Sequence, residues 1–268
     1  MLELFENQLI DQNRKSSKGN QLKWQQGEIW FKADYTGYEG MAEYVISHLL
    51  QKSSLMNAEY VLYDVEEIKY RTQIFMGCKS KNFLKGDWQI ITLERLFQSF
   101  TGESLSRCIY KIVENEDRLK FLVEQTERIT GLKNFGEYMS KLLTIDSFFL
   151  NEDRHTHNIA VLMNGMGEYK CCPIFDNGAG LLSDTKMDYP LKADVYELEE
   201  LPKSKTLGTD FDEQLIIAEK LYGQKVKFCF TRHDVEEIVN ATPYSDEIKK
   251  RIVTVILGRM RKYSYLFE

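Results

Sequence analysis

The chain has 268 residues, 43% of them apolar, with 35 basic against 41 acidic side chains and a net charge of −6. That apolar share supports a buried core and excludes a disordered or low-complexity chain, and the acidic balance argues against nucleic-acid or membrane binding through a bulk positive field. No apolar run approaches the roughly 20 residues of a membrane span, the opening MLELFENQLI has no basic lead of a secretory signal, and five cysteines without CxxC spacing read as reduced thiols of a cytoplasmic protein.

Residues 22–26 and 28–34 flank Gly27 and predict a hairpin. Met41, Val45, His48 and Leu49 recur at helical spacing and predict an amphipathic helix over 39–51. Residues 60–65 and 71–78 read as two further strands. The remainder reads mostly as helix. One helix opens on the acidic turn after Asn115, carries Leu119, Leu122, Val123 and Ile129 as its stripe, and stops at Gly131. A second, capped by Asn134, carries Tyr138, Leu142, Ile145 and Phe149, and a third runs from Ser245 through Ile248, Ile252, Val255 and Ile256. Between the second and third, residues 159–163 and 168–174 flank Asn164-Gly165, a strong hairpin signal. The expected class is α+β, with a small strand-rich N-terminal lobe over 1–85 and a larger helical C-terminal lobe over 86–268.

The chemistry lies on both flanks of that second hairpin. Before it stands Asn151-Glu152-Asp153-Arg154-His155-Thr156-His157-Asn158, and after it Phe175-Asp176-Asn177-Gly178. A hairpin out and back is expected to bring Asp176 beside Asn158, with Asp153 on the preceding loop. Three oxygen-bearing side chains at one mouth suit Mg²⁺, a hard cation that shares its shell with water and phosphate. Phosphoryl transfer asks little more than a metal to neutralise charge and a carboxylate to orient the nucleophile. The competing reading is local, since Asp and Asn also close turns and cap helices.

The segment from Asn151 to Asn158 resembles the catalytic loop of HipA-like serine/threonine kinases, including the CtkA-like branch. Its Asp-Arg-His-x-x-Asn core is similar to that of phosphoinositide 3-kinase-like enzymes as well. Phe175-Asp176-Asn177-Gly178 resembles the metal-binding motif of the HipA-like group, with Asn177 where many kinases have Phe. The resemblance implies a bilobal protein-kinase-like fold, Asp153 as the catalytic carboxylate, His155 shaping the catalytic loop, and Asn158 and Asp176 as Mg²⁺ ligands.

It also directs the reading of the N-terminal lobe. Lys32, within the apolar strand Ile29-Trp30-Phe31-Lys32-Ala33, becomes the lysine that contacts the ATP phosphates. Glu43, deeper in the helix than Glu39, becomes its brace. Read without the resemblance, Lys32 is equally an exposed strand residue. Ser16-Ser17-Lys18-Gly19-Asn20 is the candidate phosphate-cradling loop, though it holds one glycine where a glycine-rich loop is usual. HipA-like kinases modify a serine in that loop, which makes Ser16 and Ser17 candidate autophosphorylation sites. A zinc reading of His155 and His157 lacks a third strong ligand, and His157 is expected to face solvent.

By the same resemblance, residues 179–209 take the position of a kinase activation segment. The functional expectation is an ATP- and Mg²⁺-dependent kinase acting on a Ser or Thr hydroxyl of a protein substrate. The alternatives are a phosphoinositide or small-molecule kinase and, from another class, a kinase-like regulatory module of a toxin–antitoxin system. An antitoxin-like regulator is the partner this implies, with no nucleic acid and no membrane expected.

Overall fold

The computed structural model of the protein describes residues 1–10 and 21–267. In chain order the elements are β1 (Leu2–Leu4), β2 (Lys23–Gln26), β3 (Ile29–Ala33), α1 (Glu39–Leu50), β4 (Tyr63–Tyr70), β5 (Gln73–Lys81) and β6 (Gln89–Thr92). There follow α2 (Leu93–Thr101), α3 (Leu105–Tyr110), α4 (Asn115–Thr130), α5 (Phe135–Phe149), β7 (Ala160–Met163) and β8 (Tyr169–Cys171). The chain ends with α6 (Val195–Leu198), α7 (Phe211–Tyr222), α8 (Arg232–Asn240) and α9 (Asp246–Lys262). Among the described residues no helix is long and apolar enough to cross a membrane. The candidate loop residues Ser16, Ser17 and Lys18 lie outside the described residues.

The chain forms two compact units: Met1–Phe83 with Phe175–Leu201 and Lys227–Glu268, and Leu84–Ile174 with Pro202–Val226. In the first, five strands form one sheet in the order β1-β4-β5-β3-β2. Side chains alternate across a strand, so Phe31 and Ala33 of β3 join Leu4, Trp24, Ile68 and Tyr70 in one apolar cluster while Lys32 points to the other face. Trp24 and Tyr70 meet edge to face, with centroids 5.3 Å apart.

The β4–β5 hairpin turns later than the sequence pattern suggests. Its strands pair from Tyr63↔Ser80 to Tyr70↔Gln73, and Arg71 adopts the left-handed φ of 54° that a tight two-residue turn needs. Residues 66–70 hide this continuation because they carry charges. Those charges are paired on the sheet, Lys79 with Glu66 at 2.9 Å and Lys69 with Glu3 at 3.0 Å.

Helix α1 packs against β4, β5 and α8. Its approach to β5 depends on two glycines. A Cβ on Gly40 would lie 2.5–2.8 Å from the Gly77 backbone, closer than any real contact. Asp34, just past β3, is half-buried and ties the start of α1 to the C-terminal helices. It accepts from the Gly40 amide at 2.6 Å and from the Tyr244 hydroxyl at 2.7 Å.

In the second unit, β6, β7 and β8 form an antiparallel sheet. The β7–β8 connection is a longer loop than the Asn-Gly pair suggests. The Asn164 side chain accepts from the amides of Met166 and Glu168, and Gly167 takes the positive φ of 77°. Helix α5 runs through the middle of this unit against α4 and α7, with Leu142, Leu143, Ile145, Phe148 and Phe149 all buried. Gly131 ends α4 in the left-handed conformation, its amide donating to Glu127 O. Asn134 stands at the N-cap of α5, but its side chain makes no cap bond; the Glu127 carboxylate takes the first free amide, that of Phe135, at 3.0 Å. Ser245 caps α9 through its hydroxyl.

Burial, and then the nearby Glu39 charge, push the Asp34 carboxyl up from 3.8 to about 7. The folded state therefore holds this proton more tightly than the unfolded chain does. The stability it contributes is present below about pH 4 and lost as pH rises towards 7. The urea midpoint of the wild type is expected to fall over that window more steeply than that of Asp34→Asn, whose side chain does not titrate. Equal slopes would show that Asp34 ionises normally.

Candidate active site

In the first unit, Lys32 leaves the middle of β3 on the face opposite the main apolar cluster. Its register partner on β5 is Cys78, and its ammonium lies 5.1 Å from the Tyr63 ring centroid. The lysine side chain is only 13% exposed. An ammonium in such a place needs anionic partners. It donates to Glu43 Oε1 at 2.7 Å and to Asp176 Oδ1 at 2.7 Å. Burial opposes its charge, but Asp176 and then Glu43 hold the Lys32 proton well above the ordinary lysine range.

Glu43 does more than meet the lysine. Its second oxygen accepts from the Asn177 amide at 2.8 Å, so one buried carboxylate fixes both Lys32 and the backbone just after Asp176. Asp176 itself sits at a φ of 63°, a left-handed conformation that Asp tolerates better than most residues and that marks functional segments. Glu39 has a different task. It accepts from the amides of Tyr35, Thr36 and Gly37 and closes the turn into α1. Position in the helix separates the two glutamates: Glu43 reaches Lys32, and Glu39 holds the turn.

The second unit carries the loop after α5. Leu150 ends the helix at a φ of 57°. The loop then folds around a buried ion pair. Arg154 Nε donates to Asp146 Oδ2 at 3.0 Å, Asn151 Nδ2 donates to Asp146 Oδ1 at 2.8 Å, and both members of the pair are almost fully buried. Burial pushes the Asp146 carboxyl up, against the opposing pull of the guanidinium. Arg154 also reaches the carbonyl of Asn158 at 3.2 Å. From α2, the Glu94 carboxylate accepts from the Thr156 hydroxyl at 2.8 Å and the Ser106 amide at 2.9 Å.

This frame presents Asp153. Asn158 Nδ2 donates to its backbone carbonyl at 2.8 Å and to its Oδ2 at 3.2 Å, and Lys205 Nζ donates to its Oδ1 at 2.9 Å. His155 Nε2 stands 4.0 Å from Oδ1, and burial holds that imidazole below its ordinary range. His157 is exposed and meets His155 edge to face at 5.6 Å.

Each unit carries one side chain whose oxygen chemistry suits a hard cation. Asn158 of the second unit spends its NH₂ on Asp153, so its amide oxygen is the atom with acceptor capacity, and Asp176 of the first unit carries carboxylate oxygens. Such oxygens are what Mg²⁺ takes, with water and phosphate completing its shell. Among the described residues no group of three His, Cys, Asp or Glu side chains stands together as a metal centre.

Asp146, Glu94 and Lys205 all bond to this loop, and none of the three stands out in the sequence as a site residue. Asp146 did leave a trace, as the lone acid in the apolar run of α5. Glu94 and Lys205 meet the loop only through tertiary structure.

The mixed sheet-and-helix fold recurs in two solved proteins. It is shared with the Helicobacter pylori proinflammatory kinase CtkA, with a TM-score of 0.65 and 15% identity over 99% of this chain and 96% of that one. It is shared as well with HipA of the Shewanella oneidensis MR-1 toxin–antitoxin system, solved in complex with HipB and operator DNA. There the TM-score is 0.51 at 13% identity, over 96% of this chain and 63% of that one. At these identities the likeness is one of fold. No protein-family description matches the sequence, and no curated protein sequence does.

Removing one member of a buried ion pair strands the other's charge and costs about 3–5 kcal/mol. Arg154→Met is expected to lower unfolding stability by about that amount, and Asp146→Leu added to it to restore a large part. Denaturant unfolding of the two variants checks this; a single variant as stable as wild type would remove the pair from the loop's frame.

Proposed function

We propose that the protein is an ATP- and Mg²⁺-dependent kinase that transfers the γ-phosphoryl group to a Ser or Thr hydroxyl of a protein. The observation that carries this reading is the Lys32 ammonium held at 2.7 Å by both Glu43 and Asp176. A strand lysine braced by a helix glutamate is the device by which kinases hold the α- and β-phosphates. The kinase fold shared with CtkA supports the same reading.

In the reaction, the bond from the γ-phosphorus to its bridging oxygen breaks, and that oxygen leaves on ADP with the electron pair. A new bond forms between the phosphorus and the acceptor oxygen, and the hydroxyl proton passes to Asp153. Lys32 holds the α- and β-phosphates, and Glu43 keeps Lys32 in place. Asn158 and Asp176 are the residues that hold Mg²⁺, which supplies neutralising charge for the phosphate oxygens when bound. His155 shapes the loop that presents Asp153. Ser16, Ser17 and Lys18 are proposed to line the phosphate loop.

The retained Lys32–Glu43–Asp176 set favours an enzyme over a kinase-like binding module. The Shewanella HipA was solved with HipB, and by that likeness an antitoxin-like protein is the proposed regulator.

The test is incubation with labelled ATP and Mg²⁺, alone and with a cell lysate, followed by phosphosite mapping that includes Ser16 and Ser17. Label on Ser or Thr of protein supports the reading, and label only in the lipid fraction selects a phosphoinositide kinase. Asp176→Ala is expected to abolish turnover. Asp153→Ala is expected to lower kcat by roughly 10²–10⁴ while ATP affinity is kept. Wild-type turnover that persists in excess chelator contradicts the metal assignment, and loss of ATP binding in Asp153→Ala contradicts the division of roles.

A further inference from the structure

A cation on a distant loop completes the surroundings of Asp153. Lys205 lies 52 residues further along the chain, and its Nζ donates to Asp153 Oδ1 at 2.9 Å. The other oxygen, Oδ2, receives the Asn158 amide at 3.2 Å. The two bonds, one to each oxygen, fix the rotation of the carboxylate about its side-chain axis.

The loop that carries Lys205 is built onto the catalytic loop. The next residue, Thr206, donates its hydroxyl to the carbonyl of Arg154 at 2.5 Å, one residue after Asp153. The preceding residue, Ser204, donates its hydroxyl to Gln214 Oε1, and its amide donates to Thr209 O at 2.8 Å. Arg118 Nη1 donates to the carbonyl of Leu207 at 2.6 Å. Ser204, Thr206 and Leu207 are all buried, whereas the Lys205 side chain is 41% exposed. The neighbours therefore set the register, and the one accessible side chain of the turn is laid across the Asp153 carboxylate.

An ion pair with a partly exposed lysine contributes little to stability. A proton acceptor in phosphoryl transfer, by contrast, gains much from a fixed orientation. We infer that Lys205 is a positioning residue of the transfer step, holding Asp153 in the orientation that meets the acceptor hydroxyl. This rests on the kinase reading proposed above and adds to it a residue from outside the two motif loops.

Lys205→Met keeps the length of the side chain and removes its charge. It is expected to lower kcat by about 10- to 100-fold, the scale of a misaligned reacting group, while the ATP dissociation constant stays within about twofold. Lys205→Arg should recover most of the rate. Adding Lys205→Met to Asp153→Asn should cause no further loss, because the lysine works through that carboxylate. Thr206→Val keeps the ammonium but frees its loop from Arg154, and an intermediate loss of kcat is expected; this variant carries the test if Lys205→Met does not fold.

An active wild type beside a Lys205→Met variant with unchanged kcat overturns the role and leaves the kinase reading intact. So does a parallel loss of ATP affinity and rate, or full additivity with Asp153→Asn. A folded wild type that transfers phosphate to no acceptor refutes the kinase reading and the role of Lys205 with it.

Discussion

A lysine ammonium placed on the inner face of a sheet has to be met by carboxylates, and that requirement organises the first unit. Lys32 is answered from two sides, by Glu43 on α1 and by Asp176 on the segment after the β7–β8 hairpin. The Glu43 contact needs α1 close to the sheet, and Gly40 against Gly77 allows that approach. The same helix fixes the backbone beyond Asp176, because Glu43 also takes the Asn177 amide. Strand, helix and the segment around Asp176 are thus held through one largely buried charge cluster.

The loop after α5 in the second unit follows the same logic with the signs reversed. There the buried carboxylate is Asp146, and Arg154 with Asn151 answers it. Neither member of that pair touches a reacting group in the mechanism proposed here. They fold the loop so that Asp153 stands between Asn158 and Lys205. In both units, then, a buried ionic cluster costs desolvation and returns a defined geometry.

Much of this was legible in the sequence because it is carried by local pattern. The β2–β3 hairpin, α1, Gly131 as the stop of α4 and the Ser245 cap all follow from spacing and turn chemistry. The pairing of Lys32 with Glu43 was readable only through the family resemblance of the two later loops. Other features were not. The continuation of β4 was masked by charges that pair on the sheet, and the cap of α5 comes from Glu127 rather than from Asn134. Asp34 in its link to Tyr244, Glu94 beneath Thr156, and Lys205 over Asp153 have partners 210, 62 and 52 residues away. Pairings at that separation leave no periodicity to read.

The central claim is that the Lys32 cluster is a nucleotide-phosphate site. Titration calorimetry with ATP and Mg²⁺ tests it most directly, using the wild type and Lys32→Met, with thermal unfolding to show that both are folded. The account predicts saturable binding by the wild type and binding weakened at least about tenfold in the variant, as loss of a charge-assisted contact to phosphate requires. Equal affinity in two folded proteins, or no binding by the wild type, would contradict it.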